Sequence, residues 1–141
     1  MENINPKNVL EVSNLNTWYG NKKILSDINL NVSHKEIMVI MGHSGSGKST
    51  LLRYILGLEK TKTGLIKLLD KEVSKLNKKD LYKLRKRIGV AFQNGALFSS
   101  MTVRENIELP LHENTELDEK TIHIMSRLKL ELMQLSGTES L

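Results

Sequence analysis

The sequence lacks cysteine entirely, which excludes disulfide bonds and thiolate metal sites. It also lacks a long apolar run, because the longest uninterrupted stretch covers only residues 37–41, far short of the length that spans a bilayer. Residues 1–9 are polar without an apolar centre, so we expect no secretory signal. Any association with a membrane is therefore expected to depend on a partner.

Acidic residues are scarce in one segment of the chain. The 141 residues, the length of one ordinary domain, carry a net charge of +5, but residues 60–87 alone hold 11 basic and 3 acidic side chains. Such a block would suit nucleic acid or an anionic membrane surface. Leucines interrupt it at amphipathic spacing, and few aromatic side chains are interleaved for base stacking. We interpret it as a solvent-exposed face and expect no nucleic-acid partner.

Glycine is concentrated in residues 42–49, which spell G-x-x-x-x-G-K-[ST]. The apolar run 37–41 before them predicts a buried strand, and apolar spacing in residues 50–56 predicts a helix after them. In a strand, loop and helix of this order, backbone N–H groups and the helix dipole cradle the phosphates of ATP or GTP. Lys48 would reach the β and γ phosphates, and the Ser49 hydroxyl would ligate Mg²⁺.

The motif assigns a continuous set of residues to nucleotide binding. They are Gly42, His43, Ser44, Gly45, Ser46, Gly47, Lys48, Ser49 and Thr50. His43 occupies a variable position, so we interpret it as a spacer. An ordinary strand-to-helix turn rich in glycine and serine is the alternative interpretation.

Apolar periodicity predicts the remaining elements. The expected strands are residues 9–15, 24–32, 37–41, 64–69 and 88–92, and the expected helices are residues 50–56, 78–87, 102–109 and 118–135. A turn at Gly20-Asn21 joins the first two strands into an antiparallel pair, and residues 93–96 form a loop. The last helix is expected to bury one face, formed by Leu117, Thr121, Ile124, Leu128, Leu132 and Leu135.

Several motifs together resemble the ATP-binding subunits of ABC transporters, from about Leu10 to the end of the chain. They are Trp18-Tyr19-Gly20, the loop 42–49 with Thr50-Leu51-Leu52, Phe92-Gln93, Leu97-Phe98 and Thr102-Val103-Arg104-Glu105-Asn106-Ile107. The resemblance implies an α/β P-loop NTPase fold of the ABC type, with an antiparallel β start. Residues 1–141 would be the N-terminal part of one nucleotide-binding domain: 1–93 the β subdomain and P-loop core, and 94–141 the start of a helical subdomain.

The same resemblance implies ligands, partners and a location. ATP and Mg²⁺ would bind, with Tyr19 matching the adenine-stacking aromatic and Trp18 as the alternative. Gln93 matches a glutamine that touches Mg²⁺ or water, so Ser49 and Gln93 are the expected metal ligands. A second ATP-binding subunit and a membrane permease are the expected partners, and the permease would hold the chain at the cytoplasmic face of the membrane. Residues 93–98 and Leu109-Pro110-Leu111 look most like ATPases of Mla-type lipid-asymmetry transporters, which move phospholipid.

The sequence departs from the family pattern in two ways. Lys35 stands where the family usually has glycine, and lysine tolerates a positive φ poorly. Three family features are missing: the L-S-G-G-Q signature, the strand that ends in Asp-Glu, and the switch histidine. We interpret Leu135-Ser136-Gly137, which has the first three letters of the signature, as a chance match. Lys48 and Gln93 contribute to a catalytic site that is not complete. We therefore expect a truncated chain that binds ATP without turnover; the alternatives are an inactive nucleotide-binding remnant and another P-loop enzyme such as a nucleotide kinase.

Overall fold

The computed structural model describes residues 8–93 and 95–141, which divide into two units, the first ending at Ile88 and the second beginning at Gly89. The expectation about a secretory signal concerns residues 1–9, of which residues 1–7 lie outside the described part, as does Asn94 of the predicted loop. The elements of the first unit are β1 (Asn8–Tyr19), β2 (Lys22–Ser33), α1 (Lys48–Ile55), β3 (Thr63–Leu68), β4 (Lys71–Glu72), a 3-10 turn (Val73–Lys75) and α2 (Lys78–Arg85). Those of the second unit are α3 (Val103–Asn114) and α4 (Glu119–Leu132).

The four strands form one antiparallel sheet in the order β2-β1-β3-β4. This confirms the predicted antiparallel start and the strands expected at residues 9–15, 24–32 and 64–69. Val12 lies opposite Leu30 on one side and Ile66 on the other. Because side chains alternate between the faces of a strand, one face of the sheet collects the apolar residues. That face forms the core of the first unit with α1 and α2, through Val12, Leu15, Leu25, Leu51, Ile66, Leu68, Val73 and Leu84.

Asparagine side chains supply hydrogen bonds where a bulge interrupts the backbone pairing of β1 and β2. Asn14 and Asp27 both have a φ of 49°, a left-handed conformation that these two residue types tolerate. The Asn29 Oδ1 accepts the Asn14 N–H at 2.8 Å, and the Asn16 Oδ1 accepts the Asp27 N–H at 3.0 Å. The hairpin therefore continues past the bulge to the turn at Gly20 and Asn21.

Two segments predicted as strands are not strands. Residues 37–41 and 88–92 pair with no described strand, and the first is largely exposed, with Ile37 at 91% and Met41 at 88%. The prediction that 37–41 is a buried strand is wrong in this structure, because an apolar run becomes a buried strand only where neighbouring strands supply hydrogen bonds and cover. No helix in the described residues has both the length and the apolar character needed to cross a membrane.

The T-V-R-E-N motif acts as a helix start. Thr102 caps α3, its Oγ1 accepts the Glu105 N–H at 3.2 Å, and Glu105 Oε2 accepts the Thr102 N–H at 2.7 Å. That backbone hydrogen bond lowers the pKa of Glu105, so this contribution to helix stability is present above the ordinary pKa of the carboxyl and is lost as the pH falls below it. Asn106 Nδ2 donates to the carbonyls of Phe98, Met101 and Thr102, which fixes the loop before the helix.

The helix α4 buries a different face from the one predicted. Its buried residues are Ile122, Ser126 and Leu130, whereas the predicted face is mostly exposed. Ser126 Oγ donates to Glu108 Oε1 of α3 at 2.7 Å, and the His123 Nδ1 lies 3.3 Å from the same oxygen. The polar pairing with Glu108 therefore helps to set which side of α4 meets α3, a contact that apolar spacing does not report.

Lys35 adopts a left-handed backbone conformation, which lysine tolerates poorly. It has a φ of 66° in a turn after β2, where the Glu36 N–H donates to the Ser33 carbonyl at 3.1 Å. Because a Cβ is strained at positive φ, we expect Lys35→Gly to raise the free energy of unfolding by about 1 kcal/mol. Denaturant titration measures this change. Lys35→Ala keeps the strain and should give no gain; an equal gain in both variants would trace the effect to the lysine side chain instead.

Candidate functional site

The loop at residues 42–49 runs into α1 through a left-handed glycine. Gly47 is the N-cap of α1, with φ 94° and ψ 5°, and no side chain caps the helix. The first intrahelical bond is made by the Leu51 N–H, which donates to the Gly47 carbonyl at 2.8 Å. The N–H groups of Lys48, Ser49 and Thr50 precede that bond, so they lack intrahelical acceptors. Together with the positive end of the helix dipole they can hold an anion.

The Lys48 ammonium closes the loop. Its Nζ donates to the Gly42 carbonyl at 2.7 Å, the His43 carbonyl at 2.8 Å and the Ser46 Oγ at 3.3 Å. An ammonium has three donors, so the loop itself satisfies all of them. The loop is thereby held in shape, and Lys48 must exchange at least one of these acceptors to contact a phosphate oxygen.

The three glycines of the loop are required for different reasons. A Cβ on Gly42 would lie 2.7 Å from Ser46 Oγ, so Gly42 lets the loop close on itself. Gly45 has a φ of 78° with open space around it, so only its backbone conformation calls for glycine. A Cβ on Gly47 would lie 2.7 Å from the Leu25 Cδ2 and 3.4 Å from the Ile24 Cγ2, so Gly47 also lets α1 approach β2 closely.

The polar side chains of the loop have distinct surroundings. The His43 Nδ1 donates to the Ser44 carbonyl at 2.7 Å, since a carbonyl oxygen only accepts. This contact supports a spacer role. Ser49 is exposed and Thr50 half-buried at the start of α1. Within residues 8–93 and 95–141 no three His, Cys, Asp or Glu side chains are grouped to hold a metal. A hydroxyl such as that of Ser49 suits Mg²⁺, which prefers oxygen ligands and usually takes few from protein.

The aromatic candidates lie at the hairpin end of β1. Tyr19 is 84% exposed, whereas Trp18 is 43% exposed and carries the Lys23 Nζ at 5.6 Å from its ring centroid. Tyr19 pairs with Lys22 across the hairpin. Gly47 packs against Ile24, two residues further along β2, a distance of about 7 Å along a strand. The structure therefore brings Tyr19 and the loop to the same end of the β1–β2 hairpin.

Gln93 belongs to the second unit. It lies in an exposed turn in which the Gly95 N–H donates to the Phe92 carbonyl at 2.9 Å. Its assignment as a metal ligand stays a prediction.

The sequence analysis did not predict the packing of Gly47 on Ile24 and Leu25. The one feature of the sequence that could have indicated this packing was the glycine itself.

Tyr19 and Trp18 can be separated by their effect on two ligands. If Tyr19 stacks on adenine, Tyr19→Ala should weaken ATP binding by about 0.5 to 1.5 kcal/mol and leave inorganic triphosphate nearly unaffected. Calorimetric titration with each ligand measures both values. Trp18→Ala is the matched control: a loss specific to ATP in that variant alone would move the stacking role to Trp18, and equal losses for both ligands would point to folding.

Comparison with known proteins places this geometry in a family. A family profile described as ABC transporter matches residues 25–140. The chain is 38% identical over 135 residues to the intermembrane phospholipid transport system ATP-binding protein MlaF of Haemophilus influenzae, covering 96% of this chain and 51% of that protein. It is 38% identical over 121 residues to the methionine import ATP-binding protein MetN of Clostridioides difficile, covering 83% and 38%.

One solved structure has the same fold as this chain over most of its length. The dimeric ATP-binding cassette MJ0796, in a post-hydrolysis state bound to ADP and Pi, superimposes with a TM-score of 0.81 at 29% identity. The match covers 93% of this chain and 60% of that one. The chain thus spans about half, or less, of the length of the curated relatives named above.

Proposed function

The chain belongs to the ABC transporter family, and from that premise we propose that it is part of the ATP-binding subunit of a transporter that couples ATP binding and hydrolysis to transport. The observation that carries the proposal is the loop at residues 42–49, closed by Lys48 over an uncapped helix start. That arrangement presents backbone N–H groups and one ammonium to an anion, which is what a triphosphate requires. The MJ0796 cassette, with ADP and Pi bound, supports the same use of the fold.

Each side chain of the site has a proposed task. Lys48 exchanges carbonyl oxygens for phosphate oxygens, and the N–H groups of Lys48, Ser49 and Thr50 hold the phosphate nearest the helix. The Ser49 hydroxyl, with Gln93 as the second candidate, would hold Mg²⁺. When bound, that ion neutralises charge on the β and γ phosphates. Tyr19 stacks on the base. A second ATP-binding subunit would complete the site, as the MJ0796 dimer suggests.

The transported substance is proposed to be phospholipid. Support comes from the match to MlaF, which covers 96% of this chain, and from the resemblance of residues 93–98 to Mla-type ATPases. Through a membrane permease the subunit would lie at the inner face of the membrane. MetN is equally identical over a shorter stretch, so methionine is a competing substrate.

Reconstitution tests the substrate. The whole ATP-binding subunit that contains this chain is purified with its permease in detergent, and ATP hydrolysis is measured with added phospholipid or methionine. We expect stimulation by phospholipid, abolished by Lys48→Ala. Stimulation by methionine alone would replace the proposed substrate while leaving the ATP-binding assignment intact.

The 141-residue chain by itself is expected to bind ATP without turning it over. Hydrolysis needs a group that orients the attacking water in addition to the phosphate-binding loop, and the family residues for that task are not among these 141. Measured against Lys48→Ala as background, its hydrolysis should be indistinguishable from zero. Robust Mg²⁺-dependent hydrolysis lost in Lys48→Ala would contradict this, and phosphoryl transfer to a nucleoside monophosphate would instead support a kinase.

A further inference from the structure

The basic segment, residues 60–87, carries more positive charge than its own contacts neutralise. Three of its lysines have a carboxylate nearby: Lys67 at 3.5 Å from Glu11, Lys75 at 2.8 Å from Glu72 and Lys83 at 4.0 Å from Asp80. Arg85 instead donates to the carbonyls of Leu56 and Gly57, at 3.0 and 2.8 Å. Among the described residues, the cations of this segment outside ion-pair distance of a carboxylate are Lys60, Lys62, Lys71, Lys78, Lys79, Lys86 and Arg87.

A groove beside α2 gathers part of this charge. It has a volume of about 380 Å³ and is lined by Lys71, Leu76, Asp80, Lys83, Leu84 and Arg87. Leu84 is buried and Leu76 half-buried, so they form an apolar floor, while the three cations are exposed at the rim. Asp80, the one acidic residue of the lining, already accepts hydrogen bonds through Oδ2 from Asn77 Nδ2 at 2.7 Å and lies near Lys83. The rim therefore offers net positive charge to an approaching group.

We propose that the groove rim of Lys71, Lys83 and Arg87, together with Lys78 and Lys79, the other exposed lysines of α2, docks on an anionic phospholipid surface. Charge complementarity identifies the partner: clusters of four to eight basic residues on an amphipathic helix attract anionic lipids. The chemistry of the side chains favours lipid over nucleic acid, because nine of the 11 cations are lysines, which act as point charges and not as bidentate readers of bases or phosphates. Tyr82 is the only aromatic residue in the segment, which is too few for base stacking.

This contact is independent of the nucleotide site. The groove lies among β4, the 3-10 turn and α2, and its lining includes no residue of the loop 42–49. It would add a direct lipid contact to the permease-mediated one of the proposed function, so failure of either leaves the other testable.

Vesicle flotation tests the proposal with matched charge variants. The purified protein is mixed with phosphatidylglycerol or phosphatidylcholine vesicles at low ionic strength. We expect binding to phosphatidylglycerol only, weakened by salt. Replacing Lys71, Lys83 and Arg87 together with glutamine should weaken it on the order of a hundredfold. The control replaces Lys22, Lys120 and Lys129, exposed lysines outside the segment, and removes the same net charge with a much smaller effect.

Each other outcome overturns the docking proposal. Equal losses in the two triple variants would show that net charge alone drives binding. Binding to DNA or to polyglutamate that is tighter than binding to phosphatidylglycerol, and that depends on the same three residues, would assign the face to nucleic acid or to an acidic protein. Two controls establish that both triple variants are folded. Their circular dichroism spectra must match that of the unmodified protein, and they must unfold thermally at the same temperature.

Discussion

Lys48→Ala is expected to weaken ATP binding ten- to hundredfold. Lys48 is the only lysine or arginine in the loop 42–49, and its ammonium lies where the loop carbonyls and a phosphate would compete for it. Removing a charge-assisted hydrogen bond of this kind costs about 1.5 to 3 kcal/mol. Isothermal titration calorimetry with Mg²⁺ and ATP measures the change.

Two further variants separate charge from loop shape. Lys48→Met keeps the apolar stem and removes the charge, so it should lose as much affinity as Lys48→Ala. Ser46→Ala removes the 3.3 Å contact to Lys48 Nζ and leaves the charge in place, so its loss should be about threefold or less. Unchanged ATP binding in Lys48→Ala would mean that the loop is not the nucleotide site.

Gly47→Ala is expected to destabilise the first unit by about 2 to 5 kcal/mol. A Cβ at a φ of 94° is strained, at about 1 to 2 kcal/mol, and it would also approach the Leu25 Cδ2 to 2.7 Å, where overpacking adds about 1 to 3 kcal/mol. Denaturant unfolding followed by circular dichroism measures the sum.

Gly45→Ala is the matched control for backbone strain. Gly45 shares the positive φ but has nothing within 4 Å of an added Cβ, so only about 1 to 2 kcal/mol should be lost. Placing Gly47→Ala in a Leu25→Val background should recover part of the difference. If Gly45→Ala and Gly47→Ala cost the same, the close approach of α1 to β2 would have no energetic role.

The local elements of this chain are predictable from its sequence because short-range rules decide them. Alternating apolar residues and the turn at Gly20 predicted the β1–β2 hairpin, and the pattern of residues 78–87 predicted α2. Thr102 and Glu105 begin α3 by a capping box that is legible in the letters T-V-R-E. α3 nevertheless continues to Asn114, past Pro110, where the sequence predicted an end at residue 109.

The sequence did not predict which elements pack against each apolar face. Apolar periodicity reports which residues share a face, but not what lies against that face. For this reason residues 37–41 were predicted buried and are exposed, and α4 packs through Ile122, Ser126 and Leu130 instead of the stripe that includes Ile124 and Leu128. The sequence motif of residues 42–49 predicted a phosphate-binding site. The packing of Gly47 on β2, in contrast, could be recognised only in the folded structure.

The most direct test of the nucleotide site is to observe which backbone amides respond to ATP. The chain has a mass of 16.0 kDa, which suits two-dimensional ¹⁵N NMR during a titration with Mg²⁺ and ATP. We predict one saturable set of shifts, largest at the amides of residues 45–50 and accompanied by changes at Tyr19. Saturable shifts that leave residues 42–50 unchanged, in a chain whose spectrum shows it to be folded, would contradict the assignment of this loop as the ATP site.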